Sequence, residues 1–343
     1  MTDIQELTSI SVFQVRNNSM LCYRKNIGHR HNLMRSLKFQ ENIQNLKEHA
    51  KYTGAMSIGA QKRLTKAINI MVAASPMQRI YNPVTGNKQN FRLGFLTLTI
   101  PEKTDHTLSQ LNKLLLEPFL KYLRQVHKIG LYVWKAERQK RGVIHYHITI
   151  NKFVHYQELR NKWNKLLSAR GLNISYITEN GHSDANSIDI HSVKKVNDLA
   201  AYLVKYMCKT YQNSGEEKGK LWDCSRILKE SSYFEVEATE DILFDISNKV
   251  SQGRIKVRIG ERCSFYKMMN ETVSTLFPNE VAVDYNYYIS SLQTNTVPIT
   301  KTMLNCIKKA TMLDLKRIQS EQHKKSIKPK PEIIQLFLNL NFN

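Results

Sequence analysis

Between residues 91 and 192, short runs of alternating apolar and polar residues are separated by longer stretches with helical spacing. Phe95-Leu96-Thr97-Leu98-Thr99-Ile100 is apolar at every second position and stops at Pro101, the pattern of a half-buried strand. Leu108, Leu111, Leu115 and Leu120 then recur at helical intervals from Thr107 to about Val126, with Pro118 placed to kink that helix. Two further strands, 131–137 and 143–151, flank the basic turn Arg138-Gln139-Lys140-Arg141-Gly142. A helix over 156–168 carries Leu159, Trp163, Leu166 and Leu167 on one side, and 187–192 is a short strand. Asn197 caps a last helix that runs to about Tyr211.

The order β-α-β-β-α-β predicts an α+β fold: a ferredoxin-like, RRM-like antiparallel sheet with helices on one face. On either side the pattern differs. Residues 1–90 read as basic and mainly helical, through Leu33, Leu37, Ile43 and Leu46 and then 57–74, and end at the turn around Pro83 and Gly86. Residues 231–343 read as a C-terminal α/β extension. The expected division is therefore 1–90, 91–230 and 231–343.

Parity assigns the faces. Even positions are apolar in each strand: Leu96, Leu98 and Ile100; Tyr132, Trp134 and Ala136; Ile144, Tyr146, Ile148 and Ile150; Ile188 and Ile190. Odd positions are mostly polar: Thr97, Thr99, Lys135, Glu137, His145, His147, Thr149, Asp189 and His191. Successive side chains leave a strand on opposite faces, so the helices should cover one side and a polar working surface should form the other.

On that surface His145 and His147, at i and i+2, project the same way. With a symmetric turn, residue 137 would face 143 and residue 135 would face 145, leaving Glu137 diagonally beside His145. Two imidazoles and a carboxylate suit a divalent cation. His29 and His31 lie in a polar region with no such neighbour and read as surface residues. In the following helix, Tyr202, Lys205, Tyr206 and Lys209 share a polar stripe about 100° wide, opposite Leu199, Ala200, Leu203, Val204 and Met207. A phenol is a weak nucleophile at neutral pH, with a pKa of about 10. A cation polarising a phosphate and lysines neutralising developing charge would offset that, which makes phosphoryl transfer the natural chemistry. Thr97, Thr99, Lys135, Arg138, Lys140 and Arg141 are the candidate nucleic-acid contacts around it.

The chain of 343 residues has 51 Lys and Arg against 29 Asp and Glu, a net charge of +22, with the excess mainly before residue 231. A polyanionic partner explains such an imbalance. The five cysteines are scattered without zinc-motif spacing or a disulfide pattern, no signal peptide opens the sequence, and no stretch of 18 apolar residues occurs. The expectation is a cytoplasmic protein with no membrane span.

The strand Phe95–Thr99, the motif His145-Tyr146-His147 and the motif Tyr202-x-x-Lys205-Tyr206-x-x-Lys209, in this order, resemble an HUH endonuclease, specifically a rolling-circle replication initiator of the two-tyrosine phage and plasmid type. Gly219-Lys220-Leu221-Trp222-Asp223-Cys224-Ser225-Arg226 is similar to the stretch that follows the tyrosine helix in related initiators. The resemblance covers roughly 91–230. It implies a Mg²⁺- or Mn²⁺-dependent nickase and strand transferase on single-stranded or origin DNA in a bacterial host. His145, His147 and Glu137 would be its ligands, Tyr202 and Tyr206 its nucleophiles, and Lys205 and Lys209 its phosphate-side helpers. The chain lacks a Gly-x-x-x-x-Gly-Lys-Ser/Thr loop, so a host helicase and DNA polymerase are the implied partners. Two rival readings are a two-tyrosine transposase, although the amino-terminal part holds only Cys22, and a non-catalytic nucleic-acid-binding module. The latter wants aromatics on the open face, whereas Tyr132, Trp134 and Tyr146 fall on the apolar one.

Overall fold

The computed structural model describes residues 9–26, 56–81, 86–139, 142–192, 199–208, 219–269 and 273–296. It is an α+β structure with two five-stranded antiparallel sheets. In chain order, β1 (Ser9–Val15) and β2 (Ser19–Asn26) form a hairpin. After it come α1 (Ile58–Ala74), β3 (Gln78–Tyr81), β4 (Lys88–Phe91) and β5 (Gly94–Thr99). Helix α2 runs through Leu108–Leu111, a π-helical stretch Asn112–Leu116 and Glu117–Gln125. Next are β6 (Tyr132–Arg138), β7 (Ile144–Ile150), α3 (Tyr156–Ser168), α4 (Ile174–Asn180), β8 (Ile188–Ser192) and α5 (Leu199–Cys208). The remainder is β9 (Trp222–Cys224), α6 (Arg226–Glu230), β10 (Phe234–Glu237), α7 (Glu240–Ser251), β11 (Ile255–Ile259), β12 (Cys263–Met268), α8 (Val273–Leu276) and α9 (Asn279–Gln293).

The central sheet has the order β8-β5-β7-β6-β9, so the expected β-α-β-β-α-β unit is present with β9 added at one edge. Its even-numbered residues pack against α2 and α3 in one core, in which Leu96, Leu98, Tyr146, Ile148, Phe119 and Trp163 are fully buried. Trp163 Nε1 donates to the Thr99 carbonyl at 2.9 Å, which ties α3 to the edge of the sheet. The irregularity of α2 lies just before Pro118 and has a use. The widened turn presents Asn112, whose side-chain oxygen accepts from the Tyr146 hydroxyl at 2.9 Å and whose amide donates to the Lys220 carbonyl at 3.0 Å.

Two expectations change. The N-terminal region is not mainly helical in its described residues: it opens with the β1–β2 hairpin, and β1 pairs with β10 while β2 pairs with β12. The chain's first and last parts thus share one sheet, order β10-β1-β2-β12-β11, rather than standing as separate regions. Helix α1 does form where the pattern predicts it, with Ser57 as its N-cap accepting from the Ala60 amide. The stretch with Leu33 and Leu46, His29 and His31, the expected cap Asn197, and residues 297–343 lie outside the described residues.

The second change concerns the polar face, which is open over only part of its area. Leu93, Leu131 and Val133 are buried in a core shared with α1 (Leu64, Ile68, Met71), α5 (Leu203, Met207) and the second sheet (Phe13, Phe234). Among the described residues no helix is long and apolar enough to cross a membrane.

Candidate active site

The site occupies the part of the odd face that α1 and α5 leave uncovered. Register sets its rows. Across the sheet run Trp222, Lys135, His147, Thr97 and Asp189; one row towards the 138–142 turn run Glu137, His145 and Thr99; one row the other way run Val133, Thr149, Phe95 and His191.

The symmetric-turn register is corrected by two residues. Glu137 stands directly opposite His145, and Lys135 opposite His147. The cause is Gly142, whose φ of 89° places it in the left-handed region. The Gly142 amide donates to the Gln139 carbonyl at 2.8 Å, and Gln139 N–H to the Val143 carbonyl at 2.9 Å, which closes a three-residue hairpin loop ending in a left-handed residue. Both carboxylate and imidazoles stay on the predicted face because the shift is even.

The His147 ring is held from three sides. Its Nδ1 lies 3.1 Å from Thr97 Oγ1, its Nε2 lies 3.2 Å from Glu137 Oε2, and Phe95 stacks on it with centroids 5.6 Å apart and planes 21° apart. His145 is buried, with Nδ1 3.1 Å from Gln139 Nε2, and the two imidazole centroids are 6.4 Å apart. Burial pushes the Glu137 carboxyl up, but the hydrogen bond with His147 and the nearby charges of His147, Lys135 and His145 outweigh it. Glu137 is therefore held below the usual carboxylate range. The donors are those a divalent cation takes, two imidazoles and a carboxylate. Their positions are those of a hydrogen-bonded His147–Glu137 pair beside His145. Among the described residues no three His, Cys, Asp or Glu side chains converge as a metal cluster.

Helix α5 lays the tyrosines against this group. Leu199, Ala200, Leu203 and Met207 anchor it to α1, while Lys205 and Tyr206 are exposed and Tyr202 is half-buried, the division its helical spacing predicts. The Tyr202 and Tyr206 rings are 4.7 Å apart, and Tyr206 is 6.5 Å from Phe95. An unbroken series of ring contacts therefore runs Tyr202–Tyr206–Phe95–His147. Burial raises the Tyr202 phenol above its ordinary pKa, and its hydrogen bond to Tyr206 adds to that.

The remaining candidates divide. Thr97 touches His147. Thr99 pairs with His145 across β5 and β7. Lys135, expected as a surface contact, is only 6% exposed and lies beside Glu137, because α1 covers that part of β6. Arg138 Nη1 donates to the Gly142 carbonyl and so braces the hairpin loop. Lys140, Arg141 and Lys209 lie outside the described residues.

Three neighbours were not singled out from the sequence. Phe95 has odd parity, so the same rule that faced Thr97 and His147 inward to the site places an aromatic ring among them. Gln139 ends the strand that carries Glu137. Trp222 enters as the residue of β9 opposite Lys135, a pairing that local pattern does not encode.

Residues 94–211, about a third of the chain, match the family model of the replication-associated protein ORF2. The match begins at β5 and includes both histidines and both tyrosines. No curated protein and no solved structure matches.

Proposed function

We propose that this chain is a replication initiator that nicks one DNA strand by tyrosine attack and later reseals it. The observation that carries the reading is the contact series Tyr202–Tyr206–Phe95–His147, inside a segment similar to a replication-associated family.

In the forward step a phenolate oxygen of Tyr202 or Tyr206 attacks the scissile phosphorus. The new bond is Tyr O–P and the broken bond is P–O3′. The phenolic proton is released, the departing oxygen takes one up as a free 3′-OH, and the phosphate remains on the enzyme as a 5′-phosphotyrosine. Because the phosphodiester energy is conserved, the reverse attack by a 3′-OH reseals a strand without ATP. Lys205, exposed on the stripe of the tyrosines, is placed to neutralise phosphate charge. Tyr202 stays protonated well past neutrality because of its burial and its bond to Tyr206, so the rate should climb as pH rises.

A divalent cation, Mg²⁺ or Mn²⁺, held by His145, His147 and Glu137, would polarise the phosphate oxygens. Thr97 fixes the orientation of His147 through Nδ1, leaving Nε2 directed at Glu137. Unwinding and synthesis fall in this reading to a host helicase and polymerase. With two phenols adjacent, one can hold a loaded strand while the other cuts again.

The test is incubation of an oligonucleotide carrying the origin of the encoding replicon with Mg²⁺ or Mn²⁺. The expected product is a protein–DNA adduct stable to SDS, abolished by Tyr202→Phe/Tyr206→Phe and reduced at least 100-fold, on the order expected for a lost catalytic group, by His147→Ala. An adduct that persists in the double phenylalanine variant contradicts the assignment. Binding without any adduct under these conditions favours the non-catalytic module.

A further inference from the structure

A cavity of 550 Å³ opens at the far end of the central sheet, where β6 begins and β7 ends, walled by the end of α2, the end of α9 and the start of α6. Measured along β6 from Tyr132 to Glu137, it lies about 17 Å from the histidines at the usual rise per residue. Four cationic side chains line it (Arg124, Lys128, Lys152 and Arg226) and no carboxylate does. Arg226 is partly neutralised by Glu230 at 2.7 Å, and Arg124 donates to the Tyr132 hydroxyl at 2.9 Å. Lys128 and Lys152 are exposed and make no ion pair among the described residues.

A second observation is independent of the charges. Ser225 lines the same cavity, is 4% exposed, and its Oγ makes no hydrogen bond among the described residues. A buried hydroxyl left without a partner loses roughly 1–3 kcal/mol. A ligand that accepts its hydrogen would recover that. Positive side chains around a hydroxyl donor, without a competing acid, form a receptor for a tetrahedral oxyanion.

We propose that this cavity holds a backbone phosphate of the DNA, a second grip remote from the chemistry. It rests on reading the chain as a DNA-nicking protein. The strand would then be held at two points, at the tyrosines and about 17 Å along the sheet, by the strand-rise estimate above.

The experiment uses the full chain carrying Tyr202→Phe/Tyr206→Phe, so that binding is read without chemistry. Affinity for a single-stranded origin oligonucleotide is measured as salt is raised. Adding Lys128→Gln/Lys152→Gln should lower the slope of log affinity against log salt by about 1.4, the value for two single-strand phosphate contacts. Ser225→Ala should weaken binding several-fold. A control pair on the outer surface of α2 and α3, Lys121→Gln/Lys165→Gln, should leave the slope where it was.

An unchanged slope in the Lys128/Lys152 variant, or an equal fall in the control pair, overturns the proposal. Calorimetry with inorganic phosphate separates the two sources of a phosphate group. Phosphate binding lost in the lysine variant while the DNA slope stays unchanged assigns the cavity to the free ion and overturns the DNA grip. Failure to bind DNA at all defeats the functional reading itself, whereas normal DNA binding with an unchanged slope defeats only the second grip.

Discussion

On one face of the central sheet, Leu96, Leu98, Tyr146 and Ile148 meet the helices α2 and α3 with full burial and one polar tie, the Tyr146–Asn112 hydrogen bond. On the other face the same strands bury Lys135 and His145 and set His147 against Glu137. Apolar packing stabilises the first face at roughly 25 cal/mol for each Å² removed from water. The second face carries charges whose desolvation opposes folding unless each finds a partner. Nothing about holding the sheet together requires those groups. Their positions are set by what they do to a ligand.

This contrast can be broken from either side. The largest effect on folding should come from the apolar face. Trp163→Ala removes a fully buried side chain together with its hydrogen bond to the Thr99 carbonyl, and should cost about 3–5 kcal/mol in urea unfolding. A loss below about 1 kcal/mol would mean that this face is not the principal core.

On the polar face the expected stability effect is smaller and depends on pH. Glu137 is held below the ordinary carboxylate range. Its ionised form therefore stabilises the fold above the unfolded-state pKa of about 4.3, and that contribution is lost as pH falls through the lower folded value. Glu137→Gln, measured without added divalent cation, should flatten the acid limb of the stability curve. At neutral pH it should cost only about 1 kcal/mol, since the amide oxygen still accepts from His147. An acid limb as steep as that of the parent would show that the carboxylate is not held by its neighbours.

Much of this arrangement is legible in the residues. Period-two alternation places all four predicted strands of the central unit, parity separates His145 and His147 from Tyr146, and the 3.6-residue stripe separates Tyr202 and Tyr206 from Leu203 and Met207. What local pattern cannot encode is pairing at long range. Val12 meets Glu237 and Phe13 meets Val236, across more than two hundred residues, so the shared sheet of the chain's first and last parts is invisible to a local reading.

Depth is lost for the same reason. Parity puts Lys135 on the polar face, but α1, more than sixty residues earlier, decides that it is buried there. The hairpin register depended on one backbone angle at Gly142. A two-residue shift preserves parity, so the face was right while the partner of His145 was not. Phe95 shows a further limit: among mostly polar odd positions an apolar residue reads as an exception to the pattern, although it is the ring that joins the tyrosines to His147.

The most direct measurement is peptide mapping of the covalent adduct after protease and nuclease digestion, with the mass of the attached nucleotide located by fragmentation. The nucleotide should be found on Tyr202 or Tyr206, and on whichever of the two remains when the other is changed to phenylalanine. A nucleotide attached to any other residue, with both phenols unmodified, would contradict the account.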